Sequence, residues 1–197
     1  GHGSRPDMSV NPVFCAASIL TNTATAWVNQ ITAGRTVTLG VTSIQGGEAP
    51  NVIPDTADIL GSLRFFNDEE GEKAVRIFKN VAEHTAAMNN CQVQFDDRFC
   101  VLCAPVINDE YYSNLISAAL PEVLLENVTV SSCEPWYASE SFSCYRRICP
   151  SVLAHLGINN PSYGSGAAHH NGFFDVDEGV LSTGVIATLK FVAMLQK

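Results

Sequence analysis

Apolar residues near the amino terminus switch between helical spacing and strict alternation, and the order of these segments limits the possible folds. Helical spacing runs from Asn11 to about residue 32, and Asn11 followed by Pro12 is typical of a helix start. Alternation of valine and leucine with threonine over 36–42 then predicts a half-buried strand, which ends at Gly46-Gly47. A second strand is predicted over 56–66.

Two further segments complete this first region. Asn67, followed three residues later by Glu70, resembles a capping box and predicts a second helix that ends near Met88. Alternation from Cys91 to Cys103 predicts a third strand. The order α-β-β-α-β predicts an α+β fold, a two-layer α/β sandwich with an antiparallel sheet from which one strand is missing at the front.

The pattern changes after Pro105, and we place a domain boundary near residue 106. A helix is predicted from Asp109 to Leu120, followed by a short β-rich segment at 123–130 and by polar, aromatic loops. Asp177 is a plausible N-cap for a closing helix. That helix is predicted to bury five apolar residues: Leu181, Val185, Ile186, Leu189 and Val192.

Composition excludes several classes of partner. The hydrophobic content of 46% fits a globular core. A formal net charge of -9 argues against nucleic acid and against an anionic membrane as partners. No uninterrupted apolar stretch approaches the roughly 20 residues of a membrane helix. We therefore predict neither a nucleic-acid partner nor a membrane partner.

Seven cysteines lie mostly within apolar segments, so we interpret them as buried thiols of a cytoplasmic protein. Cys100 and Cys103 form a C-x-x-C motif, which leaves a redox protein as one hypothesis. On a strand, however, a three-residue offset places their side chains on opposite faces. The redox hypothesis fails if both thiols are buried and far apart.

Histidines 169 and 170 lie in a loop rich in glycine and alanine, just before the closing helix. Neutral imidazole is a common metal ligand, so one of them is a candidate ligand. The alternative is a pair of solvent-exposed loop histidines, because two adjacent histidines do not easily share one ion.

Two charged residues have open interpretations. Arg64 interrupts an apolar strand, and a half-buried arginine requires either a structural carboxylate or a substrate carboxylate. Glu140 lies among Ser139, Ser141 and Phe142, where it is either a general acid/base, a carboxylate near a metal, or the first residue of a helix.

Several motifs occur in the order found in one family. These are the sequences at 1–6 (GHGSRP), 46–55 (GGEAPNVIPD), 61–64 (GSLR), 139–142 (SESF) and 170–174 (HNGFF), the last followed by Asp177-Glu178 and Leu181. Together they resemble the M20 metallopeptidases and amidohydrolases. The nearest branch contains aminoacylases, hippurate hydrolases, indoleacetyl-amino-acid hydrolases and N-acetyl-diaminopimelate hydrolases.

The resemblance implies a fold for each part of the chain. Residues 1–105 would be the lid, or satellite, domain through which such enzymes form homodimers, with a ferredoxin-like β-α-β-β-α-β pattern that lacks its first strand here. Residues 106–197 would be the C-terminal part of an α/β zinc-peptidase-like catalytic domain.

The resemblance also implies roles for individual residues. His2 would match the lid histidine that enters the partner subunit's active site and stabilises the oxyanion. Asn51 and Arg64 would bind substrate, with Arg64 holding a carboxylate. His170 would be the metal-binding histidine, and Glu140 would lie close to the metal site. Ser141 stands where the family has Asp, which weakens any role for a carboxylate at that position.

The expected activity is metal-dependent cleavage of the amide bond of N-acyl amino acids or similar small amides. Zn or Mn, as two ions in the complete enzyme, would activate the attacking water. The family's other metal ligands and its catalytic glutamate lie before the lid, so this chain alone is expected to be inactive. The alternative hypothesis is a non-catalytic, lid-like dimerisation or binding module.

Overall fold

The computed structural model describes residues 1–96, 99, 103–124 and 128–196. The chain forms two compact units. Unit 1 contains residues Gly1–Pro105 and Tyr137–Ser143, and unit 2 contains Val106–Trp136 and Cys144–Lys197. The chain therefore leaves unit 1, returns to it for the short segment 137–143, and leaves it again.

Unit 1 contains a two-stranded antiparallel sheet. Strand β1 (Val37–Gln45) pairs with β2 (Asp58–Phe65), and Val37 lies opposite Phe65 at one end of the register. The register shifts between Val41 and Ser43, as expected for a β-bulge. Both strands were predicted from alternation, and both predictions are confirmed.

Two helices, α1 (Pro12–Gln30) and α2 (Asp68–Met88), complete the regular structure of unit 1. The side chain of Asn11 accepts hydrogen bonds from the backbone N–H groups of Val13 and Phe14, at 3.0 and 3.4 Å. Asn67 accepts one from the N–H of Glu70, at 3.0 Å. Each bond satisfies N–H groups that a helix start would otherwise leave unpaired, so both predicted caps are confirmed.

The main apolar core of unit 1 lies between the two helices. It contains Cys15 and Ile19 from α1 and Ala82 and Ala86 from α2, and small alanine side chains allow the helices to approach closely. Partly buried apolar residues pack around this group: Ile59, Phe78, Cys91, Val93 and Phe95. Burying one isoleucine such as Ile19 contributes about 1.5–3 kcal/mol, so this cluster is a main source of stability.

The third strand, predicted from Cys91 to Cys103, is wrong over residues 91–96, 99 and 103, which have no strand structure, and residues 97–98 and 100–102 lie outside the described part. The alternation itself was informative, because Cys91, Val93 and Phe95 all pack on the core. A strand also requires a neighbour to accept its ladder hydrogen bonds. Within the described residues the sheet consists of β1 and β2, and residues 91–96 pair with neither of them.

The cysteines are less buried than predicted. Cys15 is buried and Cys91 and Cys103 are half-buried, but Cys133, Cys144 and Cys149 are exposed. These three lie in unit 2, where loops replace the regular elements that would cover them. Cys100 lies outside the described residues, so the redox hypothesis for the C-x-x-C motif stays a hypothesis.

Unit 2 contains α3 (Glu110–Ala119) and α4 (Leu181–Leu195), joined to several short 3-10 turns. Asp109 caps α3 by accepting from the N–H of Tyr112 at 3.0 Å, which confirms the predicted helix start. Residues 123, 124 and 128–130 of the predicted β-rich segment have no strand structure, so that prediction is wrong for them, and residues 125–127 lie outside the described part.

The prediction that α4 buries its apolar residues is wrong. All five are exposed in this chain: Leu181, Val185, Ile186, Leu189 and Val192. Helical periodicity shows which face is apolar, but burial requires a second surface that the described residues do not supply.

The same helix corrects the sequence-based view of membrane segments. Residues Glu178–Leu195 have a mean hydropathy of 1.5 over 18 residues, which is long and apolar enough to cross a membrane by length and composition alone. Scattered polar residues, including Lys190, interrupt the apolar run without lowering its average much. Core helices of proteins that never enter a membrane satisfy the same criterion.

Candidate active site

The first residues of the chain pair with the loop at 51–53. His2 forms an isolated antiparallel bridge with Val52, and the N–H of Gly3 donates to the carbonyl oxygen of Asn51 at 2.8 Å. The N–H of Ile53 donates to the carbonyl of Gly1, also at 2.8 Å. The segments that carry two predicted site residues, His2 and Asn51, are thereby paired through their backbones, with His2 opposite Val52.

Gly3 permits this close approach. A Cβ added at Gly3 would lie 3.3 Å from the backbone carbonyl carbon of Asn51, which is tighter than most Cβ contacts. A larger residue at this position would push the His2 segment away from the loop. The sequence motif GHGSRP therefore has a structural reason for its second glycine.

The His2 imidazole is exposed and belongs to a turn. The N–H of Arg5 donates to the His2 carbonyl at 2.9 Å, which closes a β-turn over residues 2–5. Nδ1 of His2 lies 3.1 Å from the Ser4 backbone nitrogen and 2.8 Å from the Ser4 hydroxyl. The ring is therefore held by its own turn.

An open cleft of about 560 Å³ lies beside this segment in unit 1. Its walls come from Gly3 and Pro6, from the start of α1 at Val13 and Phe14, and from the loop 46–54. Its size is within the range of small-molecule sites. The glycine- and proline-rich motif at 46–55 thus forms one wall of a concave surface next to His2.

Arg64 lies on β2 opposite Thr38 and is half-buried. Its Nη1 donates to the carbonyl oxygen of Leu63 at 3.0 Å. Within the described ranges no carboxylate forms an ion pair with it. The structural-carboxylate interpretation of Arg64 therefore gains no support here, and an external anion remains the candidate partner.

Glu140 belongs to the segment that returns to unit 1. Its Oε1 accepts from the N–H of Phe142 at 3.3 Å and from the Ser141 hydroxyl at 3.4 Å. A 3-10 helix begins at Ser141, so Glu140 stands at a helix start. Nearby, Tyr137 packs edge-on against Phe66, with ring centroids 5.0 Å apart, and so attaches this segment to unit 1.

The histidine pair lies in unit 2, and its two members differ. His169 packs between Trp136 and Phe174, with ring centroids 5.3 and 5.1 Å apart. His170 is exposed and has a positive φ of 62°, a conformation uncommon for residues other than glycine. Both histidines are exposed, but His169 contacts two aromatic rings, whereas His170 differs from it by its positive φ.

A hydrogen-bonded network braces the loop that carries these histidines. Asn160 Nδ2 donates to Asp177 Oδ2 at 2.6 Å, and the N–H of Asp177 donates to the carbonyl of Ile158 at 3.2 Å. The buried Ser165 hydroxyl accepts from the Asn160 N–H at 2.7 Å. Asp177 also accepts from the N–H of Gly179 at 2.9 Å, so it caps the 3-10 turn Glu178–Val180 that leads into α4. The prediction that it caps the closing helix itself is wrong, because α4 begins at Leu181 after Val180 and has no side-chain cap.

Sequence reasoning did not assign Trp136 or Asn160 to this site. Neither residue lies in a motif, and each acts through a contact distant in sequence. The aromatic loop composition around Trp136 was the only local signal.

The described residues do not form a metal site by themselves. Among the described residues, no three His, Cys, Asp or Glu side chains come together in a way that could hold an ion. A two-metal centre needs several ligands, so these residues do not fit one without others.

Unit 1 is an α+β unit in which a histidine turn is paired to a glycine-rich loop. Comparison with known proteins identifies the family of this unit. Residues 1–89 match the family model M20_dimer, the peptidase dimerisation domain. The chain is a relative of the M20 peptidases and amidohydrolases, and the predicted resemblance is confirmed.

Two curated relatives illustrate the similarity. The chain is 27% identical over 191 residues to thermostable carboxypeptidase 2 of Saccharolobus solfataricus, covering 95% of this chain and 46% of that protein. It is 27% identical over 182 residues to N-acetylcysteine deacetylase of Bacillus subtilis, covering 92% and 45%. The chain thus spans about half the length of the curated relatives it matches.

A solved structure supports the fold. A dinuclear metal-binding peptidase of the M20 family from Bacillus subtilis superposes with a TM-score of 0.73 at 22% sequence identity. The match covers 98% of this chain and 47% of that protein. Together with the family match, it confirms an α+β dimerisation domain in this chain.

Proposed function

We propose that this chain is the C-terminal portion of a metal-dependent amidohydrolase that cleaves N-acyl amino acids or similar small amides. The observation that carries this proposal is the match of residues 1–89 to the peptidase dimerisation domain, in which the His2 segment pairs with the loop at 51–53. The relatives include a carboxypeptidase and a deacetylase of an N-acetyl amino acid, both of which cleave amide bonds.

The proposed division of labour follows the two parts of the chain. Residues 1–105 act as a ferredoxin-like lid through which the enzyme forms a homodimer, and residues 106–197 are part of the catalytic domain. The complete, cytoplasmic enzyme holds two divalent ions, Zn or Mn, with His170 as one ligand and Glu140 near the site. Such ions, bound by His170 together with further ligands, would supply an activated water.

The residues of the lid bind substrate and stabilise charge. His2, exposed on its turn, donates a hydrogen bond to the oxygen of the scissile carbonyl in the partner subunit's site, where negative charge develops. Arg64, which has no carboxylate partner among the described residues, binds the substrate carboxylate, and Asn51 binds substrate beside His2.

The test is an assay of the complete gene product with N-acetyl amino acids and added Zn²⁺ or Mn²⁺. Arg64→Ala should reduce kcat/KM by about 10- to 100-fold for a substrate with a free carboxylate, because a charged hydrogen bond is lost. The matched control is the corresponding N-acetyl amino acid amide, for which the variant and the wild type should differ little. Equal losses on both substrates would contradict carboxylate binding by Arg64.

His2→Ala should reduce kcat by about 100-fold or more, as removal of an oxyanion donor does. A variant that retains full kcat would contradict the assigned role. Absence of hydrolysis by the wild-type gene product, with both metals and a range of N-acyl substrates, would overturn the enzymatic proposal as a whole.

A second candidate is a non-catalytic dimerisation or binding module. The observation that favours it is the absence of any three-ligand metal cluster within the described residues. Assay of the full-length gene product separates the two views, because hydrolysis by it would exclude the module. Stoichiometric metal with turnover from the 197-residue chain alone would contradict the module and also the expected inactivity of this chain.

A further inference from the structure

The turn at 2–5 selects one form of the His2 side chain. The Ser4 backbone N–H points to Nδ1 of His2 at 3.1 Å, and a backbone N–H can only donate. Nδ1 must therefore be the acceptor and carries no proton. In a neutral imidazole the single proton is then on Nε2.

The Ser4 hydroxyl is compatible with this selection. Its oxygen lies 2.8 Å from the same Nδ1. A hydroxyl can donate or accept, so once the backbone N–H has made Nδ1 the acceptor, the hydroxyl takes the role of a second donor. In this role it adds to the stability of the tautomer that the backbone N–H selects.

We propose that Ser4 is a positioning residue that holds His2 as the Nε2–H tautomer and aims this donor away from the turn. The Nε2 edge faces away from Ser4 on an exposed ring, and no acceptor for it occurs in the described part of the chain. The identity of the acceptor, a carbonyl oxygen in the partner subunit's site, rests on the proposed function. The tautomer does not.

The backbone around His2 makes this arrangement rigid. Gly1 and Gly3 are fixed to the 51–53 loop by backbone hydrogen bonds on both sides of His2. Arg5, the next cation in sequence, pairs with Asp7 through two hydrogen bonds, at 3.0 and 2.8 Å, rather than with the ring. Ser4 is therefore the residue that sets the proton position.

His84 provides an internal reference with the opposite expectation. Its Nδ1 lies 2.8 Å from the carbonyl oxygen of Asn80, and a carbonyl can only accept. His84 must therefore carry its proton on Nδ1. One protein thus contains two histidines for which opposite tautomers are expected.

The test is long-range ¹H–¹⁵N correlation spectroscopy on the ¹⁵N-histidine-labelled chain at about pH 9, where ordinary imidazoles are neutral. His2 should show the Nε2–H pattern and His84 the Nδ1–H pattern. Ser4→Ala removes the hydroxyl but keeps the backbone N–H, so it should lower the Nε2–H to Nδ1–H ratio of His2 by about fivefold, the effect of one net hydrogen bond. Ser4→Thr should restore the ratio, and His84 should not change.

Two results would overturn the proposal. One is a His2 ratio like that of free histidine while His84 shows its expected pattern. The other is an unchanged His2 ratio in Ser4→Ala. Because the measurement needs neither metal nor turnover, it succeeds or fails independently of the hydrolase proposal. If the complete enzyme hydrolyses its substrate, Ser4→Ala should then lower kcat while leaving KM unchanged.

Discussion

Glu70 accepts two hydrogen bonds from Thr32, one from the backbone N–H at 3.3 Å and one from the hydroxyl at 2.5 Å. Lys73 also belongs to this group. Its Nζ lies 3.8 Å from the Glu70 carboxylate and donates a hydrogen bond to the Thr32 hydroxyl oxygen at 3.0 Å. The Thr32 hydroxyl is the largest influence that lowers the pKa of Glu70, and the backbone N–H, Lys73 and Arg35 add to it. This group connects the end of α1 to the start of α2.

The lowered pKa of Glu70 predicts acid sensitivity. The ionised form is favoured in the folded state, so its contribution is fully present above the ordinary glutamate pKa, about 4.3, and is lost as the pH falls through the lower folded value. Glu70→Gln should therefore reduce stability at pH 7 and flatten the loss of stability below about pH 4.3. Urea unfolding from pH 7 to pH 2 measures both effects.

Glu69→Gln is the matched control, because Glu69 is exposed in the same helical turn. In this variant the free energy of unfolding should fall with decreasing pH in nearly the same way as in the wild type. Thr32→Val should reproduce part of the Glu70→Gln effect. The role of this carboxylate would be contradicted if the free energy of unfolding fell equally steeply with pH in Glu70→Gln and in the wild type below about pH 4.3.

Gly71 predicts a packing effect in unit 1. A Cβ added there would lie 2.6 Å from two ring carbons of Phe65, closer than real Cβ atoms come. Overpacking costs about 1–3 kcal/mol, and the better helix propensity of alanine returns at most about 1 kcal/mol. Gly71→Ala should therefore lower the free energy of unfolding by about 1 kcal/mol, measured by denaturant titration.

Gly157→Ala is the control, because nothing lies within 4 Å of its added Cβ. It should be close to neutral. Combining Gly71→Ala with Phe65→Leu should recover part of the loss, since the ring causes the clash. Additive losses in the double variant would show that the Phe65 ring is not responsible.

The cysteines should differ widely in reactivity. Burial raises the pKa of the Cys15 thiol to about 11, and a hydrogen bond with Cys91 adds to the shift. At pH 8 about one Cys15 in a thousand would be thiolate, against about a quarter of ordinary thiols with a pKa near 8.5. Cys133, Cys144 and Cys149 are exposed and should be alkylated at least about 100-fold faster than Cys15.

Peptide mass mapping after timed iodoacetamide treatment measures these rates. The same mapping in denaturant is the control, because all thiols should then react alike. Fast labelling of Cys15 in the native chain would contradict its burial between α1 and α2.

The exposed apolar face of α4 predicts self-association of this chain beyond a dimer. Val185 and Leu189 are 59% and 63% exposed, and a contiguous apolar face of this kind promotes contact with another copy. In the double variant Val185→Glu with Leu189→Glu, sedimentation velocity should show no species larger than a dimer. Phe14→Ser, which removes a 72% exposed aromatic residue of unit 1, should not abolish the larger species.

The exposed face of α4 could bind lipid instead of another copy of the chain, and flotation with phospholipid vesicles measures such lipid binding. Binding of the wild-type chain to neutral phospholipid vesicles, lost in the double glutamate variant, would contradict the prediction of no membrane partner. Absence of larger species in the wild type would contradict the association itself.

Local chemistry made some features predictable from sequence. The caps at Asn11, Asn67 and Asp109 depend on side chains within three residues of the N–H groups they bind, so the motif contains the whole interaction. The alternation at 91–95 likewise gave the correct core-facing side for Cys91, Val93 and Phe95.

Features that depend on distant partners were not predictable in this way. Alternation could not show whether residues 91–96 have a neighbouring strand, and helical periodicity could not show what covers α4. The bridge between His2 and Val52 and the packing of His169 on Trp136 join segments far apart in sequence. The family motifs at 1–6 and 46–55 gave roles for His2 and Asn51 but did not predict that these two segments pair.

The return of residues 137–143 to unit 1 has a consequence for synthesis on the ribosome. Tyr137 covers Phe66, so the aromatic surface at the end of β2 stays open until that later segment has emerged. Helices α1 and α2 can pack as soon as Met88 is free, but the unit cannot close in strict order from the amino terminus. Translation must run well past Pro105 before the first unit is finished, so a pause between α3 and Trp136 would leave a nascent chain with an exposed Phe66 for chaperones to bind.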